Sequence, residues 1–199
     1  IVSKQLINYP TLKRFLISFF FLSIGVQTII LMAAIFGSSE LGLPAMNLIV
    51  TILLVQVVAI VGAFVFSRLS EKLGNIRALK IAITIWMLVC FTAFLLDKNQ
   101  ANVSYYFYGL GGLLGFVQGA IQSLTRSTYS KLLPETEDHA TYFSFYDVTE
   151  KIAIVLGTFV YGLLYALTDS MQWSVLCLAI FFVISFIIFN TMKQTKFVK

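Results

Sequence analysis

The sequence predicts an all-α integral membrane protein with six transmembrane helices. Of its 199 residues, 59% are hydrophobic and only 12% are charged, and the mean hydropathy is +0.90. Soluble domains have about 45–50% apolar and about 25% charged residues. Because one helix needs about 20 apolar residues to cross a bilayer, the chain is long enough for six spans joined by short loops. The lipid bilayer is therefore the first predicted partner.

Six hydrophobic runs, separated by charged or turn-forming residues, define the predicted spans. They cover residues 15–36, 45–67, 78–96, 104–125, 142–167 and 173–191. We interpret residues 1–199 as one membrane-embedded domain. Since the chain begins at Ile1 and its first residues lack the zones of a signal peptide, we expect it to be part of a longer protein.

Lysine and arginine are distributed unevenly along the chain. Twelve of the fourteen fall near the two chain ends or around the second and fourth loops, whereas Lys98 lies in the third loop and Lys151 within a span. Short cytoplasmic loops carry an excess of these residues, so both termini are predicted to be cytoplasmic, in a multi-pass protein of a bacterial inner membrane. Because the charges are spread over several loops, the net charge of +5 does not indicate binding to nucleic acid. The twelve residues are Lys4, Lys13, Arg14, Arg68, Lys72, Arg77, Lys80, Arg126, Lys131, Lys193, Lys196 and Lys199.

Glycine and polar side chains are shared unequally among the spans. The third and sixth spans contain no glycine and almost no charge, so we predict that they are the outer, lipid-facing helices. The other four spans carry polar groups and are predicted to line the interior. Their amide side chains, which are candidates for a substrate path, are Gln27, Gln56, Gln118 and Gln122.

Three glycines of the fourth span, Gly111, Gly115 and Gly119, are spaced four residues apart and put a smooth strip along one helix face. We predict that another helix backbone packs closely against this strip, and that Gly157 of the fifth span is a further packing position. Close packing alone can explain the strip. The functional alternative is a polar seam, since Gln118 lies beside it.

The start of the fifth span carries the most concentrated charge of any span. Asp147 and Lys151 are four residues apart with the acid first, which is the favourable order for an ion pair on a helix. An ionisable group in the bilayer costs about 2.5–3.5 kcal/mol, so it needs a partner or a water-filled cavity. Either this pair neutralises itself, or Lys151 binds an anionic group of a solute while Asp147 or Glu150 takes up protons. Tyr146 and the aromatic residues just before it form either an interfacial belt or an inner gate.

A weak internal repeat accompanies the six spans. Residues 26–30 resemble residues 117–121, and the same offset of 91 residues places Gln56 opposite Asp147. Three helices followed by three of opposite orientation form a 3+3 inverted repeat, which is the predicted architecture. Chance similarity between two apolar stretches is the alternative.

The loop between the second and third spans, residues 67–77, reads Ser-Arg-Leu-Ser-Glu-Lys-Leu-Gly-Asn-Ile-Arg. It resembles the signature loop of the major facilitator superfamily, in which an acid, a glycine and basic residues hold the cytoplasmic face shut by pairing with neighbouring helix ends. The resemblance implies that the chain is one half of a major facilitator fold. Asn75 and Ile76 stand where basic residues are usual in that loop. The implied cytoplasmic gate consists of Arg68, Glu71, Lys72, Gly74 and Arg77, with Arg126 at the end of the fourth span.

A longer pattern resembles the vacuole-effluxer-like branch of that superfamily. It comprises residues 115–119, 122–127 and 131–134, followed by Tyr142, Phe143, Tyr146, Lys151 and Gly157. The resemblance implies the carboxyl-terminal six-helix domain of a secondary transporter that moves a small solute by alternating access, with amino-acid efflux as the implied activity. It also implies a partner, which is either a missing N-terminal six-helix half or a second copy. Glu150 and Thr158 stand where the pattern has a small residue and a proline.

Other functions are less compatible with the sequence. A non-transporting membrane packing or interaction module, with its charges paired internally, is the alternative to a transporter. An enzyme is not predicted, since the chain has one histidine, no zinc-protease motif and no nucleophile elbow. No metal and no cofactor are predicted, since Cys90 and Cys177 lie in apolar runs without a neighbouring Cys or His.

Overall fold

Six long helices follow one another in the structure, a computed structural model that describes residues 9–134 and 139–192. In chain order they are α1 (Pro10–Ile35), α2 (Ala45–Leu73), α3 (Asn75–Phe94), α4 (Val103–Leu132), α5 (His139–Thr168) and α6 (Met171–Thr191). A π-helical turn, Phe36–Glu40, extends α1 before the chain enters α2. The described residues contain no strand, which confirms the predicted all-α class.

Five of the six described helices are long and apolar enough on their own to cross a membrane. The sixth, α4, has 30 residues and is therefore not short. Its glycines, its two glutamines and the polar segment 122–131 make it less apolar than the others. It packs between α2 and α3, so much of its surface meets protein rather than lipid. The chain is an all-α, multi-pass membrane protein.

The helices pack in the pattern of a three-plus-three repeat. α1 packs against α5 and α6, while α4 packs against α2 and α3. α3 and α6 also pack against each other. Exchanging α1, α2 and α3 with α4, α5 and α6 converts this set of contacts into itself. That is the arrangement of an inverted repeat within one half of a major facilitator fold.

The two ends of the bundle differ in charge. The start of α1 and the end of α6 lie at the same end, where the Phe15 and Phe189 rings are 6.0 Å apart between centroids. The α2–α3 turn and the end of α4 share this end, which we call the basic end. Its described basic residues are Lys13, Arg14, Arg68, Lys72, Arg77, Lys80, Arg126 and Lys131. The lysines at 4, 193, 196 and 199, which also supported the predicted orientation, lie outside the described residues.

α3 and α6, predicted to be the outer, lipid-facing helices, each pack one face in the core, and their lipid contact stays a prediction. Half of the most apolar segment of α3 is buried, against 11% for α2 and 17% for α5. One face of α3 packs in the core through Trp86, which stacks on Phe182 of α6 at 5.4 Å, while Leu88 and Phe91 are exposed. Burial of one face is compatible with an outer position, since the exposed Leu88 and Phe91 leave the opposite face of α3 uncovered.

The turn between α2 and α3 depends on one glycine. Gly74 has φ +86°, a left-handed conformation in which a side chain would be strained. Its N–H donates to the Ser70 carbonyl at 2.8 Å and closes α2, and α3 begins at the next residue. The predicted spans ended before such polar segments, but α2 and α4 continue as helix to Leu73 and Leu132.

Candidate functional site

The glycine strip of α4 lies directly against the backbone of α2. A Cβ added to Gly119 would be 1.8 Å from the Ala59 carbonyl oxygen, and one added to Gly115 would be 2.5 Å from that of Val55. Gly62 of α2 faces the strip in return, since its added Cβ would be 1.9 Å from the Phe116 carbonyl oxygen. The two helices can approach this closely only because these positions have no side chain.

The two remaining candidate packing glycines also lie at helix contacts. Gly111 faces the Thr51 side chain of α2. Gly157 of α5 faces α1, where an added Cβ would be 2.0 Å from Thr28 Oγ1 and 2.8 Å from the Ile24 carbonyl oxygen. Gly157 therefore allows a close approach of α1 and α5, as the glycine strip does for α2 and α4.

The basic half of the bundle brings several of the predicted polar candidates together, at the seam between α1, α4 and α5. Gln27 Nε2 donates a hydrogen bond to Glu150 Oε1. Gln122 and Thr125 of α4, with Ser23 of α1, line a small void beside this pair. Three helices thus contribute polar side chains to one place.

The predicted ion pair between Asp147 and Lys151 does not form. Asp147 Oδ1 instead lies 3.6 Å from Arg126 Nη2 on the neighbouring helix, with both side chains about half exposed. The helical rule considers only the α5 sequence, but the end of α4 brings a guanidinium within reach of the same carboxylate. Lys151 is exposed and forms no ion pair with any residue in the described ranges.

An aromatic cluster seals the bundle just inside this ion pair. Tyr146 stacks on Phe19 at 4.1 Å and lies 5.0 Å from Tyr129, which in turn contacts Phe15 at 6.1 Å. The Arg126 guanidinium lies 5.8 Å from the Tyr146 ring centroid. Tyr146 is 1% exposed, so it packs inside the protein rather than in an interfacial belt.

Hydrogen bonds fix this aromatic cluster to the helices. The Tyr146 hydroxyl donates to Thr125 Oγ1 at 3.0 Å, and the Tyr129 hydroxyl donates to the Tyr142 carbonyl at 2.7 Å. Both bonds join α4 to α5. Thr125 and Tyr129 were not among the predicted site residues, and only the three-dimensional contact identifies them.

The opposite half of the bundle contains a cavity, whereas the aromatic cluster fills the basic half. A cavity of about 340 Å³ lies between α1, α2 and α4, with walls that are apolar apart from Thr51 and Gln56. Gln118, the remaining candidate, is half buried, and its Oε1 atom has no hydrogen-bond partner in the described part of the chain. Gln56 and Gln118 are therefore not part of the polar seam formed by Gln27, Gln122 and Glu150.

The offset of 91 residues pairs positions around the cavity with positions in the aromatic cluster. It pairs Thr51 and Val55, which line the cavity, with Tyr142 and Tyr146 of the seal. It also pairs Leu110 of the cavity wall with Phe19. At these three pairs the basic half has aromatic side chains where the cavity has smaller ones.

The predicted gate loop is held by Asn75, which was not among the predicted gate residues. Glu71, Lys72 and Arg77 are exposed and form no ion pair with the described residues, and Arg68 lies over the Phe64 ring at 4.5 Å. Asn75, which stands where a basic residue is usual, is buried. Its amide donates to Ser127 Oγ at 3.2 Å and Thr128 Oγ1 at 3.0 Å, and it accepts from Lys131 Nζ at 3.2 Å.

Replacing Asn75 with alanine is expected to lower the free energy of unfolding by about 1–3 kcal/mol, because it removes these bonds and leaves the Thr128 hydroxyl without this donor at a buried site. The measurement is thermal unfolding of the purified protein in detergent. Asn99→Ala, in the exposed α3–α4 connection, is the matched control and should change stability by less than about 0.5 kcal/mol. Equal effects of the two variants would show that the Asn75 contacts do not stabilise the turn.

No group of three or more His, Cys, Asp and Glu side chains that could hold a metal occurs within residues 9–134 and 139–192. Cys90 is buried and Cys177 half buried, and both are free thiols.

A six-helix inverted repeat with a glycine turn after its second helix, an aromatic cluster in its basic half and a cavity in the other half, defines one half of a major facilitator type membrane protein. The sequence model of the family described as "Vacuole effluxer Atg22 like" matches residues 1–198. The chain belongs to this vacuole effluxer Atg22-like family.

Curated relatives agree with this assignment. The chain is 33% identical over 186 residues to the uncharacterized MFS-type transporter YxiO of Bacillus subtilis, covering 93% of this chain and 42% of that protein. It is 31% identical over 182 residues to autophagy-related protein 22 of Kluyveromyces lactis, covering 88% of this chain and 37% of that protein. The chain thus spans about two fifths of the length of these relatives.

Proposed function

We propose that this chain is the C-terminal six-helix half of a secondary transporter that moves a small solute by alternating access. The observation that carries the proposal is the contrast between the two halves of the bundle: the aromatic cluster and the Arg126–Asp147 pair fill one half, while a cavity of about 340 Å³ lies in the other. Alternating access requires a protein that is closed on one side when it is open on the other.

The cavity has the size and lining of a ligand site. Its volume lies within the range of about 300–1,000 Å³ that is typical of small-molecule pockets. Its mostly apolar walls, with Thr51 and Gln56 as polar groups, suit a small solute that has an apolar part.

The charge of Lys151 supports a solute with an anionic group. It is the 13th residue of α5, so it lies about 18 Å along a membrane helix at 1.5 Å per residue. A charged group at this depth requires a partner, and the described residues supply no acid to it. We propose that the carboxylate of a small solute is that partner, as it would be in amino-acid efflux, the activity implied by the family resemblance.

The orientation and the partner domain are part of the same proposal. The basic end is proposed to face the cytoplasm of a bacterial cell, because basic residues accumulate in cytoplasmic loops. More than half of the length of YxiO lies outside the matched region, which leaves room for an N-terminal six-helix half. That half would close the cavity on the side where α2 and α5 are exposed.

The test is counterflow with the full-length protein in liposomes. Vesicles loaded with one unlabelled amino acid at a time should accumulate the same labelled amino acid from outside, to at least about five times the level in protein-free vesicles. If none of the twenty amino acids accumulates, the proposal of amino-acid efflux is refuted. A membrane packing module, in contrast, predicts no accumulation of any solute.

A further inference from the structure

A small void lies inside the polar seam between α1, α4 and α5, separate from the large cavity at the opposite end. Its volume is about 10 Å³, which is roughly the space for one water-sized particle. Five of its nine lining residues have polar side chains: Ser23, Gln27, Gln122, Thr125 and Glu150. The other four are apolar, so the void is a polar pocket in an apolar surrounding.

Glu150 is the one ionisable side chain among the residues that line this void, and no described cation pairs with it. The one described bond of its carboxylate to another side chain comes from the neutral Gln27 amide. Arg126 pairs with Asp147 instead, and Lys151 points about 100° away from Glu150 around α5. A carboxylate within a membrane bundle is costly unless a positive charge neutralises it.

The remaining side chains offer oxygen atoms to a cation. Gln27 uses its NH₂ group for Glu150, which leaves its carbonyl oxygen free to accept. The Ser23 side chain is 4% exposed and has no hydrogen bond to the described residues. Thr125 Oγ1 donates to the Ile121 carbonyl at 2.7 Å and accepts from Tyr146, so one lone pair remains.

We propose that this void is a binding site for one sodium ion, held by the Glu150 carboxylate and by neutral oxygens of Ser23, Gln27, Gln122 and Thr125. Hard cations prefer oxygen ligands, and a single carboxylate balances a single positive charge, whereas a divalent ion would need more acidic ligands. The void has room for one sodium ion without its water shell, and the experiment below compares sodium with the larger potassium ion.

The site would couple cation binding to the seal. Thr125 also accepts the hydrogen bond that fixes Tyr146, and Glu150 and Gln27 join α5 to α1. An ion at this position therefore holds together the three helices that close the basic end. This role as the coupling cation rests on the proposed transport function, but binding itself does not.

The experiment measures binding without flux. The purified full-length protein is unfolded thermally in 100 mM sodium chloride and in 100 mM choline chloride at one pH. Sodium is expected to raise the Tm by about 2–4 °C, saturably, with a smaller effect of potassium. Glu150→Gln should abolish the shift, whereas the control Asp147→Asn, one turn away, should retain it.

Two results would overturn the site. One is an equal Tm in sodium and choline, which would mean that the void holds water or that a proton alone neutralises Glu150. The other is an unchanged sodium shift in Glu150→Gln, which would place the ion elsewhere.

If Glu150→Gln does not fold, Ser23→Ala and Gln122→Leu take its place. Each should raise the sodium concentration for half of the shift at least threefold, and an unchanged midpoint in both would refute the proposal. A sodium shift without any solute counterflow would support the sodium site and refute the proposed transport function. Counterflow without a sodium shift would support the transport function and refute the sodium site.

Discussion

Replacing Gly119 with alanine is expected to prevent stable assembly of the six-helix unit. The new Cβ would lie 1.8 Å from the Ala59 carbonyl oxygen, and this atom belongs to backbone that cannot rotate away as a side chain can. α2 and α4 would have to separate along their shared length. We expect a loss of at least about 3 kcal/mol, at the upper end of the range for overpacking, measured as the unfolding midpoint and the monodisperse yield in detergent.

The same helix provides the matched control for this substitution. A Cβ added to Gly109 would meet nothing within 4 Å. Gly109→Ala should therefore fold normally and gain up to about 1 kcal/mol, because alanine costs less conformational entropy than glycine in a helix. If Gly109→Ala and Gly119→Ala lost stability equally, the loss would come from helix chemistry and not from the α2–α4 contact.

The contrast between Gly119 and Gly62 shows what sequence spacing can reveal about this fold. Three glycines at intervals of four define a helix face, and this periodicity predicted a close approach to another helix. Gly62 stands alone in α2, without any periodic partner, yet it faces Phe116 just as closely. The identity of the packing helix depends on tertiary contacts that no local pattern contains.

The candidate site shows the same division between local and distant contacts. The charged start of α5 was found by its charge within an apolar run, but the partner of Asp147 is Arg126, on another helix. In the sequence, Asn75 was a departure from the basic residues that are usual in the gate loop. Its burial against Ser127 and Thr128 becomes visible only when α3 is placed beside α4.

Replacing Lys151 with alanine is expected to reduce solute counterflow at least tenfold while the protein inserts and folds at normal yield. The side chain is exposed and has no ionic partner among the described residues, so its removal breaks no internal pair. On insertion scales, loss of a charge in the membrane is favourable by about 2.5–3.5 kcal/mol, and stability should therefore not fall. Lys98→Ala, in the exposed α3–α4 connection, is the control and should leave flux unchanged.

The Lys151→Arg variant tests whether transport depends on the charge at this position alone or also on the shape of the charged group. A guanidinium retains the positive charge at this position but presents a planar fork in place of a compact ammonium, so flux should recover only in part. If Lys151 instead served packing alone, Lys151→Ala would lower the folding yield and leave the counterflow per folded molecule unchanged. Counterflow that survives in both Lys151→Ala and Asp147→Asn would mean that the solute passes elsewhere, because neither the unpaired cation nor the ion pair at the sealed end would then take part in transport.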